Sequence, residues 1–296
     1  MKKRLLAVLI CFSLMVASAL MLSPASASAG EMETLNYGVI APVTGPVAKF
    51  GLGLLRAVQI ATDRINNNGT LGNNGPGILV NGQRYKIKIV SYDDKFDPAM
   101  DAIGLRRLSE RYDVKVVQGP IAVPHVMSAM SLNVELGILL GSQAGSDSLQ
   151  KTGNPLIIHD RIGVEWAGIP LAEGAIAQGW KNGCIVADGS NPGWVDQGLV
   201  FKKRFEELGG KILSYEKPDA SMTTDYHSIM TKVKAKDPDF IFISMLDPQL
   251  AVATLHARDI GYSKPFIFNS ELSTETEKVV GLKNLEGSVL NIWQYL

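Results

Sequence analysis

Four histidines stand in the 296-residue chain, His125, His159, His227 and His256, and none lies four residues from another or beside a cysteine cluster. The local spacing that holds a zinc ion is therefore not present. Gly141-Ser142-Gln143-Ala144-Gly145 places its serine one position early for a G-x-S-x-G nucleophile elbow. No G-x-x-x-x-G-K-[ST] phosphate loop occurs, and Gly51-x-Gly53-x-x-Arg56 opens like a dinucleotide fingerprint but puts arginine where the third glycine belongs. Asp93-Asp94 closes a β-rich run, where a carboxylate could serve as acid or base. Followed by Asp97 and Pro98, the same residues read as caps of a helix, which is the simpler reading. What the residues offer is hydrogen bonding and apolar contact. The sequence predicts no catalytic residue, no metal and no cofactor.

Residues of that kind act only where a scaffold gathers them. Short β-rich runs are predicted at Leu35–Ala41, Tyr85–Tyr92, Val114–Val117, Ile138–Leu140 and Leu156–Ile158, separated by helical stretches at Gly51–Asn67, Pro98–Arg111 and Pro124–Glu135. The cycle restarts with a helix at Glu165–Gln178. Strands at Cys184–Ala187, Lys211–Tyr215, Phe240–Ser244 and Phe266–Phe268 then alternate with helices at Val195–Leu208, Tyr226–Lys236 and Leu250–Ile260. Asn66–Asn81, rich in asparagine and glycine, reads as a surface excursion. Repeated βα units specify parallel sheets with helices on both faces. The expected fold class is α/β, two doubly wound parallel-sheet lobes with a ligand cleft between them, meeting near Asp160–Gly163. Ligands of such sheets bind outside the carboxyl ends of the strands. The loops Pro42–Phe50, Gly119–Val123, Gly141–Ser148, Asp188–Trp194 and Met245–Gln249 should therefore carry the site.

Composition narrows the setting. Met1-Lys2-Lys3-Arg4, the apolar run Leu5–Leu22 and the small-residue stretch Ala25–Ala29 read as a secretory signal, with cleavage expected after Ala29 and Ala27 as the alternative. The remaining 267 residues carry 26 Lys and Arg against 29 Asp and Glu, a net charge of −3, and no basic patch that would suit nucleic acid. Cys184 is then the only cysteine, in the apolar context Gly183-Cys184-Ile185-Val186, and is expected as a buried small hydrophobe.

Several segments, in order over residues 34–290, resemble one family. Thr44-Gly45-Pro46-Val47-Ala48-Lys49-Phe50-Gly51, the helix ending Ala61-Thr62-Asp63-Arg64-Ile65-Asn66, and Asp93-Asp94-Lys95-Phe96-Asp97-Pro98 are similar to the opening of the periplasmic leucine/isoleucine/valine-binding proteins. Gly119-Pro120, Gly137-Ile138, Asp239-Phe240-Ile241-Phe242, Ala257-Arg258-Asp259-Ile260-Gly261 and Leu285-Glu286-Gly287 continue the likeness. The resemblance implies a type I two-lobed receptor: signal 1–29, N-terminal lobe 30–160, C-terminal lobe 161–290, and the start of a returning segment at 291–296, the rest of which is expected to be missing from a truncated record.

Carried over position by position, the resemblance places a cleft-lining aromatic at Phe50 and two hydroxyl positions at Val123 and Gly145, the latter flanked by Gln143, Ala144 and Ser146. The tyrosine of the second lobe's Y-G-x-G motif falls at Val195, with Trp194 before it as a candidate aromatic wall, and a ligand-balancing glutamate falls at Gln249. Four of those positions, Val123, Gly145, Val195 and Gln249, depart from the family's residues. A buried ammonium without a nearby anion is costly, so a zwitterionic branched-chain amino acid fits poorly, and the expected ligand is an amino acid or close derivative or, equally, an amide, urea-like solute or organic acid. The implied function is the periplasmic substrate-binding component of an ABC importer, a monomer that hands a small molecule to an inner-membrane permease. A ligand-sensing module for a receptor partner and a Rossmann-like enzyme are the rival readings.

Overall fold

The computed structural model describes residues 32–45, 47–160, 163–269 and 272–291. The signal segment 1–29 and residues 292–296 of the returning segment lie outside the described residues. Contacts divide the chain into two units, a large one of residues 36–63 with 88–296, and a small one of residues 1–35 with 64–87.

The large unit holds two sheets. In the first, strands β5 (Gln83–Asp93), β1 (Glu33–Ala41), β6 (Val116–Gln118), β7 (Leu139–Ser142) and β8 (Ile157–His159) lie side by side in that order. Their parallel registers include Gly38 opposite Val117, Val117 opposite Leu140 and Leu140 opposite Ile157. Helices α1 (Ala48–Asn68), α2 (Pro98–Tyr112) and α3 (Val123–Leu136) and the short α4 (Asp147–Gln150) make the connections. Ile40, Leu105, Leu108, Val117 and Leu140 form the core beneath α2 and α3. Gly51, read above as the start of a dinucleotide fingerprint, is instead a packing contact. A Cβ there would sit 2.1 Å from the Pro42 carbonyl oxygen, so only glycine lets α1 lie this close to the chain leaving β1.

The second sheet runs β10 (Lys211–Glu216), β9 (Asn182–Ala187), β11 (Phe240–Ser244), β12 (Phe266–Phe268), β13 (Val289–Leu290), all parallel. Its helices are α5 (Gly168–Ala177), α6 (Pro192–Glu207), α7 (His227–Lys234), α8 (Asp247–Asp259), α9 (Thr274–Val280) and α10 (Leu282–Leu285). Alternate residues of β9 and β11 serve opposite faces: Cys184, Val186, Ile241 and Ile243 enter one apolar cluster, and Ile185, Ala187, Phe240 and Phe242 the other. Burial on both faces explains why these strands read as unbroken apolar runs. Cys184 is fully buried, as its sequence context predicts.

Helix boundaries differ from expectation where caps were hidden. Asn191 accepts the Gly193 N–H and Pro192 takes the first helical position, so α6 starts three residues before Val195. The single helix expected over Glu165–Gln178 is a 3-10 turn, Val164–Ala167, followed by α5. Of the three aspartates read as helix caps, only Asp97 fills that role, accepting from Ala99 N at 2.9 Å. Asp93 accepts from Val43 N, Thr44 N, Thr44 Oγ1 and Lys95 N and ties down the loop after β1.

The small unit organises the segment read as a surface excursion. Strands β2 (Gly69–Thr70) and β3 (Asn73–Asn74) pair antiparallel, and β4 (Ile78–Val80) pairs antiparallel with the first residues of β5. Arg84 donates to the carbonyls of Asn74, Gly75 and Pro76. Asn66 donates to Ile87 O and accepts from Ile87 N, both at 2.8 Å, in the manner of a neighbouring strand. Asn66→Ala strands both Ile87 groups, and a loss of about 1–2 kcal/mol is expected in a urea titration.

Candidate functional site

A cavity of about 400 Å³ lies where the strand-end loops of the two sheets converge. From the first sheet come Val47, Lys49 and Phe50 after β1, Phe96 after β5, Ile121, Ala122 and Val123 after β6, and Gln143 and Ala144 after β7. From the second come Asn191, Gly193 and Trp194 after β9, Met245, Leu246 and Asp247 after β11, and Asn269, Leu272 and Ser273 after β12. Every one of these loops follows the carboxyl end of a strand, the place that open α/β sheets reserve for ligands.

Of the residues singled out from sequence, Phe50, Val123, Gln143, Ala144 and Trp194 line this cavity. Gly145, Ser146 and Gln249 do not. The Gly145 N–H turns back to Gln143 O, and Ser146 is fully buried with its hydroxyl on Asp196. Helix α8 begins at Asp247, and two residues on a helix are about 200° apart around its axis. Asp247 therefore reaches the cavity while Gln249, two positions on, does not. Phe96, Asn269, Leu272 and Ser273 were missed, although they follow β5 and β12 by the same strand-end rule.

The walls are largely apolar, with aromatic rings from Phe50, Phe96 and Trp194. Their polar groups are few. Lys49 Nζ stands 3.8 Å from Asp247 Oδ2 and 3.6 Å from Glu275 Oε2, and it lies over the Phe50 ring. Asp247 also takes the Ser273 N–H at 3.4 Å, and its side chain is only 10% exposed. Behind the wall, Asn269 O accepts from Gln197 Nε2, Asn269 Oδ1 from Met245 N, and Ser244 Oγ donates to Gln197 Oε1 and Trp194 O. That network fixes Asn269 and Trp194 but leaves two donors over. Asn269 Nδ2 and Trp194 Nε1 are buried without a hydrogen-bond partner among the described residues. Helices α1, α3, α6 and α8 begin at or within a residue of lining positions, so their positive ends gather here too.

Beneath Phe96 lies a second cluster. Its ring packs on His125 at 4.6 Å between centroids. His125 Nδ1 is 2.7 Å from Asp101 Oδ2 and 3.8 Å from Asp94 Oδ2, with all three residues buried. Burial pushes Asp94 up to about 7 and Asp101 up to about 8, and pushes His125 down from its ordinary value. With the carboxyls protonated and the imidazole neutral the three carry no charge, which suits groups out of water, although Asp94 Oδ2, both Asp101 carboxyl oxygens and His125 Nδ1 have no well-aligned hydrogen bond among the described residues. Asp225, His227 and His256 gather at the surface, where the Tyr226 N–H occupies His256 Nδ1. Neither grouping was readable from local spacing, because its members lie on different elements.

Among the described residues no helix is long and apolar enough to cross a membrane. The chain is 25% identical to the leucine-, isoleucine-, valine-, threonine- and alanine-binding protein of Pseudomonas aeruginosa over 81% of its own length and 63% of that protein's. It therefore spans less than two thirds of that curated relative. Among solved structures it is similar to the leucine-binding protein LivK of Thermotoga maritima, with TM-score 0.73, 20% identity, and coverage of 86% of this chain and 69% of that one. It is also similar to an ABC-transporter solute-binding protein of R. palustris solved with 4-hydroxybenzoate, with TM-score 0.69, 22% identity, and coverage of 80% and 61%. Residues 34–295 match the sequence profile of the Periplasmic binding protein family. With two parallel sheets, a cavity at their strand ends and a profile match over most of its length, the chain belongs to the periplasmic binding protein family.

Proposed function

We propose that this chain is the extracytoplasmic solute-binding component of an ABC importer, and that its ligand is a small organic acid with an apolar or aromatic body. In this reading residues 30–160 and 161–290 are the two lobes, each built on one sheet, and an inner-membrane permease receives the solute. Binding needs no bond to be made or broken.

The observation that carries the ligand class is the pair of unpartnered buried donors, Asn269 Nδ2 and Trp194 Nε1, on two residues of a largely apolar wall. A buried donor left unpaired costs about 1–3 kcal/mol, so the pair favours a ligand that brings acceptor oxygens. Four helix N-termini favour the same charge. Among the described residues the one carboxylate of the lining, Asp247, already faces Lys49, which leaves no unpaired anion among them for an α-ammonium. The relative solved with 4-hydroxybenzoate lends the reading support, and the amino-acid-binding relatives supply its rival.

Thermal denaturation of the full chain with 4-hydroxybenzoate, leucine, isoleucine and simple amides tests it. A true ligand at a hundredfold excess over Kd adds about 2.7 kcal/mol to stability. An organic acid should raise the Tm, and Asp247→Asn should leave its affinity within about threefold. If an amino acid alone raises the Tm, and Asp247→Asn weakens it about a hundredfold, the ammonium reading replaces this one. No response to any solute would remove it.

A further inference from the structure

The hydroxyls near the cavity that do not line it have another partner. Ser146 Oγ and Ser148 Oγ both donate to Asp196 Oδ2, at 2.8 and 2.6 Å. Ser146 Oγ also accepts the Ser148 N–H at 3.1 Å, so the two serines are set as one unit at the start of α4. Asp196 lies in the first turns of α6. The serines follow Gln143 and Ala144, and Asp196 follows Asn191, Gly193 and Trp194, so each partner sits a few residues beyond a wall of the cavity. One wall belongs to the loop after β7 of the first sheet, the other to the loop after β9 of the second. The tie therefore joins two walls that no strand pairing joins.

We infer that Asp196 is a positioning residue, holding the Gln143–Ala144 wall against the Asn191–Trp194 wall through Ser146 and Ser148 so that the closed cavity is populated before any solute arrives. The inference rests on the binding reading above. Three features support a fastening that opens and shuts over a permanent core contact. The bonds are to a carboxylate, which makes them stronger than neutral ones. They are also few, so thermal motion can break them. On its far side Asp196 borders an open groove of about 480 Å³ shared with Ser190, Lys217 and Asp219, through which water can take over the carboxylate once the serines leave. A second charged contact, Lys49 with Asp247 and Glu275, spans the same two sheets on another side of the cavity, but Lys49 is half exposed and its distances are long. The Asp196 tie is the stronger of the two.

The state of the fastening can be read without a solute. With Cys11 replaced by serine, cysteines placed at Ile103 on α2 and Val279 on α9, both exposed, carry spin labels, while buried Cys184 stays out of reach of the reagent. Pulsed electron–electron distance measurements on the full chain should show a short-distance population. Asp196→Ala should deplete it on the order of tenfold, and Ser146→Ala with Ser148→Ala should do the same. Combining all three changes should add nothing further, since they break one interaction. Asp196→Asn keeps an acceptor oxygen and should restore most of the population, which a general loss of packing would not allow. A wild-type chain without the short population, or an Asp196→Ala chain whose distances match wild type, would overturn the inference. Because no solute is present, either result leaves the proposed ligand class to be judged on its own.

Discussion

Phe201→Ala is expected to remove about 3–5 kcal/mol of unfolding free energy, the range for losing a large aromatic from a packed core. The ring is fully buried and stands 4.6 Å from the Phe242 ring, 5.6 Å from Phe205 and 5.8 Å from Phe240. These partners belong to α6 and to β11, and the backbone around them has little room to collapse into a void. A Cβ at Gly168 of α5 would meet Phe201 N at 2.8 Å and Gln197 O at 2.7 Å, so α5 and α6 are already in backbone contact. The transfer and cavity contributions therefore add. The same helix carries Trp194, Asp196 and Gln197, so the variant should also weaken solute binding by letting the cavity wall shift. Urea unfolding with an unchanged slope and a much lower midpoint is the expected result. A loss below about 1 kcal/mol would mean that α6 is held by something other than this aromatic cluster.

The second large effect is on the pH dependence of stability. Asp94 and Asp101 hold their protons in the fold up to about 7 and about 8, against an ordinary 3.8. The folded chain thus binds more protons than the unfolded chain at neutral pH, and stability falls as pH rises through these values. His125 has the opposite sign. Its pKa is lowered by burial, so its penalty is felt as pH falls below its ordinary 6.5. Asp97, the other carboxyl acting on Asp101 and His125, is the cap of α2. Between pH 6.5 and 8 the two carboxyls dominate, and His125 opposes them only in the lower part of the window, where the unfolded imidazole still loses its proton. Asp101 contributes on the order of 2 kcal/mol over this window at 1.36 kcal/mol per pKa unit. That is a fall in Tm of about 4–8 °C. Asp101→Asn keeps the shape and the neutral hydrogen-bonding character, so it should flatten most of the slope while leaving the chain folded. A wild-type Tm that is level from pH 6.5 to 8.5 would show that these carboxyls are ionised in the fold and paired in some other way.

Both effects come from groups whose importance was unequally visible in the sequence. Phe201 sits in a helical stretch with an apolar face, and Phe240-Ile241-Phe242-Ile243 is an apolar run too short for anything but a buried strand, so their meeting follows from the βα pattern. The aspartates and His125 carry no such mark. Asp94 reads locally as a helix cap, and only the packing of α2 and α3 against the end of β5 brings it to Asp101 and His125.

What the sequence by itself determined is the ladder of strands and helices, the parallel order that follows from it, and hence the five loops expected at the strand ends, each of which contributes to the cavity. These follow from apolar periodicity and from turn and cap residues, which act over a few neighbours in the chain. Tertiary structure decided which side chains of those loops face inward. Asp247 lines the cavity in place of Gln249 because α8 starts one turn earlier than expected. Ser146 turns to Asp196, 50 residues away, and Asn269 is fixed by Gln197, 72 residues away. A side chain's direction at a helix start depends on what packs behind it, and that partner comes from a distant part of the chain, where local spacing carries no trace of it.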